Sequence, residues 1–342
     1  MDATRFNLFS EVKFYIKTSQ ELQAYLAKNP YDWQKFQDTF NGMLDKLYSD
    51  MLTFEQESYG RDESQVYKFR RIFEKRYRRY FLYGEFIKWS YEKPFGYAGD
   101  FKIIDDIYQN NPRTIGFDRL WDNYFQQLSA TKAIRERKEA IKKVISGYIK
   151  NNKGRKIRIM NLASGPAREI KDLLVSDLPD TFAQVEFDCY DIDVRSIEYA
   201  KKLVNSPHKV NFIQKNAIRL ALKNDIRREI NSTYDLIYSL GLFDYLDERP
   251  ASRLVSNLRN ILNPDGIMVI ANVADKYNNS SSAWMEWVAD WNLIYRSKDE
   301  FKKIFLDAGF SSAELKLVLQ HNKVVQYCFA GHCKSEIYKT IQ

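Results

Sequence analysis

Hydrophobic and polar positions change rhythm once along this chain. Up to about residue 150, apolar residues recur at steps of three and four. In VYKFRRIFEKRYRRYFLYGEF the repeating positions are Phe69, Ile72, Phe73, Tyr77, Tyr80 and Phe81, the spacing of an amphipathic helix. From Ile157 the texture turns to short apolar runs. KIRIMNL, VEFDCYDI, VNFIQ, TYDLIYSL and IMVIANV read as strands. Between them PAREIKDLLVSDL, VRSIEYAKKLVN, RPASRLVSNLRNIL and SKDEFKKIFLDAGF read as helices, the last opened by a Ser297/Glu300 capping box. ELKLVL and VVQYCFAG end the chain as two strands around the turn QHNK. Alternation of this kind predicts an α/β fold, a parallel sheet with helices on both faces. A terminal antiparallel hairpin closes it and an all-α N-terminal domain precedes it. The turn signal NNKG, Asn151 to Gly154, sets the expected domains at 1–150 and 151–342.

One stretch interrupts the helical half. In KPFGYAGDF, Pro94, Gly96 and Gly99 fall among Phe95 and Tyr97, and the pattern predicts a tight turn between two helices. A second feature is charge. Seven Lys or Arg lie between Lys68 and Arg79. They form a face for phosphates or nucleic acid, or a solvated helix face opposite an aromatic stripe, and the solvated face is the stronger expectation.

Composition narrows the field. A length of 342 residues suits two domains, and 44% hydrophobic residues can build real cores. The 53 basic residues exceed the 45 acidic ones by a formal +8, compatible with an acidic small molecule, a nucleic acid or an anionic membrane. Cys189, Cys328 and Cys333 form no CxxC pair, so neither a disulfide framework nor a zinc ribbon is expected. The histidines, His208, His321 and His332, are scattered, and no metal is expected. No apolar run approaches a membrane span and the N-terminus lacks a signal-peptide core, so a cytoplasmic protein without membrane insertion is expected.

Candidate chemistry sits at the carboxyl ends of the strands, where doubly wound sheets bind ligands. NLASGPARE follows the first strand. Its small-residue turn feeds a helix N-terminus and lets backbone N–H groups approach a ligand, or it is simply a tight connection. Asp191 ends the second strand, where a carboxylate can accept ribose hydroxyls; Asp193 is its rival but suits a helix cap better. Asn216 and Ala217 follow the third strand, where an adenine edge could be read, or where a turn asparagine is ordinary. Gly241, Phe243, Asp244 and Tyr245 follow the fourth, and NPDG is expected as the turn before the fifth.

This ordered set resembles a class I S-adenosylmethionine-dependent methyltransferase domain over residues 157–330, down to the LDAGF helix end at Leu306 to Phe310 and the terminal hairpin. The resemblance implies a Rossmann-like sheet with S-adenosylmethionine as cofactor. Ala163, Ser164 and Gly165 would hold its methionine part, Asp191 its ribose and Asn216 with Ala217 its adenine, with Arg168, Ile192 and Ser239 as further cofactor contacts. Ala163 replaces the first glycine of the usual pattern. GYAGD, GPAREI and WMEWVADWNLIYRS are also similar to bacterial methyltransferases that make 3-hydroxy fatty acid methyl esters, the 3-hydroxypalmitate methyl ester synthase family. That likeness implies an acceptor pocket with Phe243, Asp290, Trp291 and Arg296 binding substrate and Tyr97, Asp100, Asp244 and Tyr295 as catalytic candidates. Trp284, Trp287, Trp291 and Tyr295 recur by three and four, so the alternative is a helix packing its indoles into a core.

A fatty carboxylate needs no base for methylation, whereas an amine or hydroxyl does. Asp100, Asp244, Asp290 and Tyr97 favour the second kind of acceptor and Arg296 the first. The expected partner is a small-molecule methyl acceptor. A nucleic-acid methyltransferase is the rival class, disfavoured because SLGLFDYL replaces an Asn-Pro-Pro-Tyr type segment. Oligomeric state is left open.

Overall fold

A computed structural model describes residues 3–59, 61–176, 184–206, 209–332 and 336–341; His208 and Cys333 lie outside the described residues. The chain divides into two compact units, one of Met1–Lys132 with Tyr277–Asn292, the other of Ala133–Lys276 with Leu293–Gln342.

The first unit is helical: α1 (Ala3–Lys28), α2 (Gln37–Tyr59), α3 (Glu63–Arg76), α4 (Glu85–Glu92), α5 (Phe101–Gln109) and α6 (Gly116–Gln127). The periodicity around Phe69 is not one long helix. α3 ends at Arg76, a 3-10 turn covers Arg78–Phe81, and α4 starts after Gly84. Phe40, Phe69, Phe73, Phe81 and Trp121 are fully buried and pack edge-on or tilted. The returning segment Tyr277–Asn292 carries a π turn, Trp284–Val288. Trp287 lies 5.5 Å from Phe69 and donates to Glu55 at 2.9 Å, and Trp284 meets Phe125 edge-on at 5.4 Å. These indoles therefore build the core of the helical unit.

α7 (Ser129–Asn151) begins where the first unit ends and belongs to the second from Ala133 onward. Its apolar face, including Ile141, Val144 and Ile145, joins one core with Ile159, Phe187 and Leu236 of the sheet. The division thus falls at Lys132, earlier than the NNKG turn suggests, because an amphipathic helix goes where its apolar stripe is buried.

The second unit holds a seven-stranded sheet in the order β3-β2-β1-β4-β5-β7-β6. The strands are β1 (Ile157–Leu162), β2 (Val185–Asp191), β3 (Val210–Gln214), β4 (Tyr234–Ser239), β5 (Leu262–Val273), β6 (Leu315–Leu319) and β7 (Val325–Gly331). The first five run parallel, and β7 pairs antiparallel with both β5 and β6. Side chains alternate between two cores. Ile159, Phe187 and Leu236 face α7, α8 (Arg168–Ser176) and α9 (Val194–Val204), while Met160, Ile237 and Met268 face α10 (Ala217–Ala221), α11 (Glu248–Arg259) and α12 (Lys298–Asp307). Cys189 and Cys328 sit one in each core. The Ser297/Glu300 capping box opens α12.

NPDG departs from expectation. It lies inside β5, whose pairing jumps from Tyr234↔Leu262 to Leu236↔Ile267. The four turn residues form a bulge rather than a lead-in.

Candidate active site

Three strand ends of the second unit converge in topology on the carboxyl edge of the sheet. At β1 the backbone is strained. Ala163, Gly165 and Ala167 take φ of 56°, 55° and 50°, a region that L residues with a Cβ rarely adopt. Two alanines there within five residues mark a turn held in an unfavourable shape by its surroundings. Ser164 N–H donates to Tyr190 O, and Ser196 Oγ donates to Gly165 O. A Cβ built on Gly165 would meet no atom within 4 Å, so the turn is open on that side.

Asp191 closes the turn from β2. Its Oδ2 accepts Gly165 N–H and its Oδ1 accepts Asp193 N–H, both at 2.9 Å. Burial pushes its carboxyl above the ordinary range, and the two amides pull it back. Each oxygen keeps acceptor capacity for a further donor. Asp193 caps α9 through Arg195 N–H. Ile192, next to Asp191, is 57% exposed, and Ile218, after β3, is 50% exposed. Apolar side chains left uncovered at adjacent strand ends suit the faces of an aromatic ligand. Asn216 caps α10 by accepting Arg219 N–H, and Ala217 is buried beside it.

The end of β4 is different. Asp244 is buried, and its Oδ1 accepts Val273 N–H at 2.7 Å and Asn272 Nδ2 at 3.0 Å. Burial pushes its carboxyl up to about 6, opposed first by the Arg137 guanidinium 3.9 Å from Oδ2. Arg296 donates to Phe243 O at 2.7 Å, to Asn272 Oδ1 at 2.5 Å and to Leu246 O. Phe243 is fully buried in the core, and Ser239 donates to Leu162 O at 2.8 Å. Sequence reasoning placed Phe243 and Arg296 on a substrate. The geometry makes Phe243 core and Arg296 a strut whose guanidinium is committed to main-chain and Asn272 acceptors. Asn272 and Arg137 were not anticipated. Asn272 is a polar residue ending an apolar strand, which is a usable signal; Arg137 lies in a charged run, RERKEAIKK, that reads as solvated.

Residues 172–268 match the family model described as a methyltransferase domain. That decides the class. The second unit carries a methyltransferase domain, and a domain of this class takes its methyl group from S-adenosylmethionine. No curated protein sequence matches the chain. Among solved structures, a possible exported protein from Bordetella parapertussis is similar over 68% of this chain and 78% of its own, at 16% identity and a TM-score of 0.54. Magnesium protoporphyrin IX methyltransferase from Synechocystis PCC 6803, solved with SAH, covers 59% of this chain and 86% of its own at 14% identity and a TM-score of 0.43. The seven-stranded mixed sheet with its antiparallel β7 is the Rossmann-like fold of class I methyltransferases.

The methyltransferase domain fits its donor at β1 and β2. The turn at Ala163 to Gly165 leaves open backbone, and Asp191 offers a carboxylate with acceptor capacity. Arg168 stands at the first position of α8 and is half-buried.

The remaining predicted residues are placed as follows. Asp100 is buried at 1% exposure, caps α5 by accepting Lys102 and Ile103 N–H, and accepts Trp89 Nε1 at 2.9 Å. Gly96 and Gly99 supply the left-handed backbone, φ 88° and 67°, that lets α4 end at Glu92 and α5 start at Phe101. The GYAGD turn is thus a helix junction, and Asp100 a cap rather than a free base. Tyr97 is 37% exposed. Asp290 takes φ 50°, and Lys93 Nζ donates to its carbonyl at 2.8 Å. Trp291 is buried and donates its N–H to Met285 O. Tyr295 is half-buried. The segment WMEWVADWNLIYRS is divided: Asp290 and Trp291 belong to the helical unit, Tyr295 and Arg296 to the sheet unit. Among the described residues, no cluster of His, Cys, Asp and Glu could hold a metal, and no helix is long and apolar enough to cross a membrane.

Proposed function

We propose that this chain methylates a small molecule and that the acceptor atom is a carboxylate oxygen, with the carboxylate of a 3-hydroxy fatty acid as the leading case. The observation that carries the reading is the strained turn Ala163–Ala167, locked to Asp191 through Gly165 N–H. Preorganised backbone and a half-satisfied carboxylate hold a ribose and an amino acid moiety in one orientation, which is what an in-line displacement requires.

S-adenosylmethionine supplies an electrophilic methyl on a sulfonium. A carboxylate acceptor would take that methyl without having to lose a proton. The choice of a carboxylate follows from the acids. Asp100 and Asp244, the bases an amine or alcohol would call on, already accept main-chain N–H groups in buried sites. Both are buried, at 1% and 4% exposure, which keeps a substrate amine or alcohol away from their oxygens. Asp191 and Ile192 would bind the ribose, Ala163 to Arg168 the methionine part, and Asn216 and Ala217 the adenine. Asp290 and Trp291 remain candidates for the acceptor side.

A second reading, an amine or hydroxyl acceptor, is favoured by Tyr97, whose side chain is partly exposed, and extends to Tyr295. The test is mass spectrometry after incubating the full chain with S-adenosylmethionine bearing a deuterated methyl and a host-cell metabolite extract. A label released by mild base hydrolysis is expected for an ester. A base-stable label on nitrogen or ether oxygen rejects the carboxylate, and Tyr97→Phe and Tyr295→Phe then identify the base. Absence of any transferred label with bound cofactor rejects the small-molecule acceptor.

A further inference from the structure

The basic residues of α3 and of the 3-10 turn after it divide. Arg70 pairs with Glu286 at 2.6 Å and lies over the Trp287 ring, and Arg78 pairs with Glu74 and donates to Trp287 O. These two are internal braces of the helical unit. Lys75, Arg76 and Arg79 turn elsewhere. Together with Lys13 and Lys17 of α1 they line a hollow of about 510 Å³ that includes no acidic residue. Among the described residues, no carboxylate is within ion-pair distance of any of these five cations.

Five like charges around one concavity repel each other, and a fold keeps them more easily when something anionic shares the site. A simpler cause covers only part of the set. Lys75 and Arg76 occupy the last turn of α3, where cations suit the helix dipole. Lys13 and Lys17 lie mid-helix in α1, and Arg79 lies beyond the end of α3, so the dipole does not account for them. The site is also partly built. The Arg79 guanidinium stacks 4.8 Å from the Tyr80 ring centre and donates to its hydroxyl at 2.9 Å, while Tyr15 OH donates to Tyr80 O. Tyr77 and Gln20 add polar groups at the wall, and Ile16 adds an apolar surface.

We propose that this hollow binds a small molecule bearing two or more phosphate groups. Its volume is that of a small-ligand site, roughly 300–1,000 Å³. The cations converge on a concavity instead of running as a stripe, since Arg70 and Arg78 leave the row; this favours a compact polyanion over a nucleic-acid strand. Lysines and arginines bind phosphate oxygens by charge-assisted hydrogen bonds. The site lies wholly within the helical unit and does not depend on methyl transfer.

The test titrates inorganic tripolyphosphate into the full chain by calorimetry at low salt. One-to-one saturable binding is expected. The double variant Lys17→Gln, Arg79→Gln is expected to weaken it at least tenfold, and Lys68→Gln with Arg71→Gln, outside the hollow, to change it less than twofold. Melting provides an independent readout. Tripolyphosphate should raise the Tm of the wild type, and without it Lys17→Gln, Arg79→Gln should melt above wild type at low salt because repulsion is relieved. Vesicles containing a phosphoinositide bisphosphate separate the two sources of phosphate: binding lost in the same double variant points to a lipid headgroup, and no vesicle binding beside tripolyphosphate binding points to a free solute. No saturable tripolyphosphate or vesicle binding, equal losses in both double variants, or salt-steep RNA binding without tripolyphosphate binding overturns the proposal. S-adenosylmethionine binding, measured on the same samples, is expected to be unchanged in both double variants.

Discussion

β1 and β4 are directly paired neighbours, yet their ends are built on opposite principles. At β1 two alanines and a glycine hold left-handed backbone around open space. At β4 the polar atoms close on one another: Asp244 on Val273 and Asn272, Arg296 on Asn272 and two carbonyls. A turn that stores strain beside open space suits a ligand. A polar knot with its partners in place is scaffold, however chemically suggestive its residues. Charge and position alone made the two ends look alike.

The difference can be broken in four ways. Asp244→Ala leaves Val273 N–H and Asn272 Nδ2 without their acceptor and the buried Arg137 guanidinium without its counter-charge, and should lower stability by about 3 kcal/mol, read as a drop in the urea midpoint. A loss below about 1 kcal/mol would mean the knot is not closed. Asp191→Ala should reduce S-adenosylmethionine affinity about 30-fold, roughly 2 kcal/mol by calorimetry, with an unchanged circular dichroism spectrum; unchanged affinity removes the ribose assignment. The third concerns pH. The folded Asp244 carboxyl sits near 6, above its unfolded value, so the folded chain holds that proton more tightly. Its contribution to stability is greatest at low pH and is lost as pH rises through about 6, on the order of 1–2 kcal/mol. Comparing wild type with Asp244→Asn between pH 4 and 7 isolates it, and parallel pH profiles would contradict the raised value. The smallest effect is Ala163→Gly. Relief of the left-handed strain slightly exceeds the added chain entropy, so the Tm should rise by the equivalent of about 0.5 kcal/mol. A fall would show that the turn is not strained.

Much of the sheet was legible because each strand is an apolar run of the right length beside a helix of the right period. The failures have local causes. NPDG carries every mark of a turn, and a bulge uses the same residues. The apolar stripe of α7 announces that one face is buried without saying against what, so NNKG drew the boundary too late. Asp100 was readable as a cap, since an acid directly before a helix is the usual signal; its setting beside two glycines made it look catalytic. Asp244 and Arg296 were not readable, because nothing in a sequence tells whether a charged side chain will find all its hydrogen-bond partners at home. Asp191 needed less, since its place at the end of β2 follows from the strand pattern alone.

The helical unit is assembled from two stretches of chain that are far apart. Trp284, Trp287 and Glu286 fill its core and pair with Phe125, Phe69 and Arg70, yet Tyr277–Asn292 follows Lys132 only after the 144 residues of the other unit from Ala133 to Lys276. During synthesis at about 5–20 residues per second, the N-terminal helices therefore wait on the order of ten to thirty seconds for the piece that completes them. Throughout that interval Phe69, Phe73 and Phe125 lack their indole cover. The nascent N-terminal half is where a holdase chaperone would act on this chain, and a ribosome stalled before residue 284 would release an adhesive helical fragment rather than a finished domain.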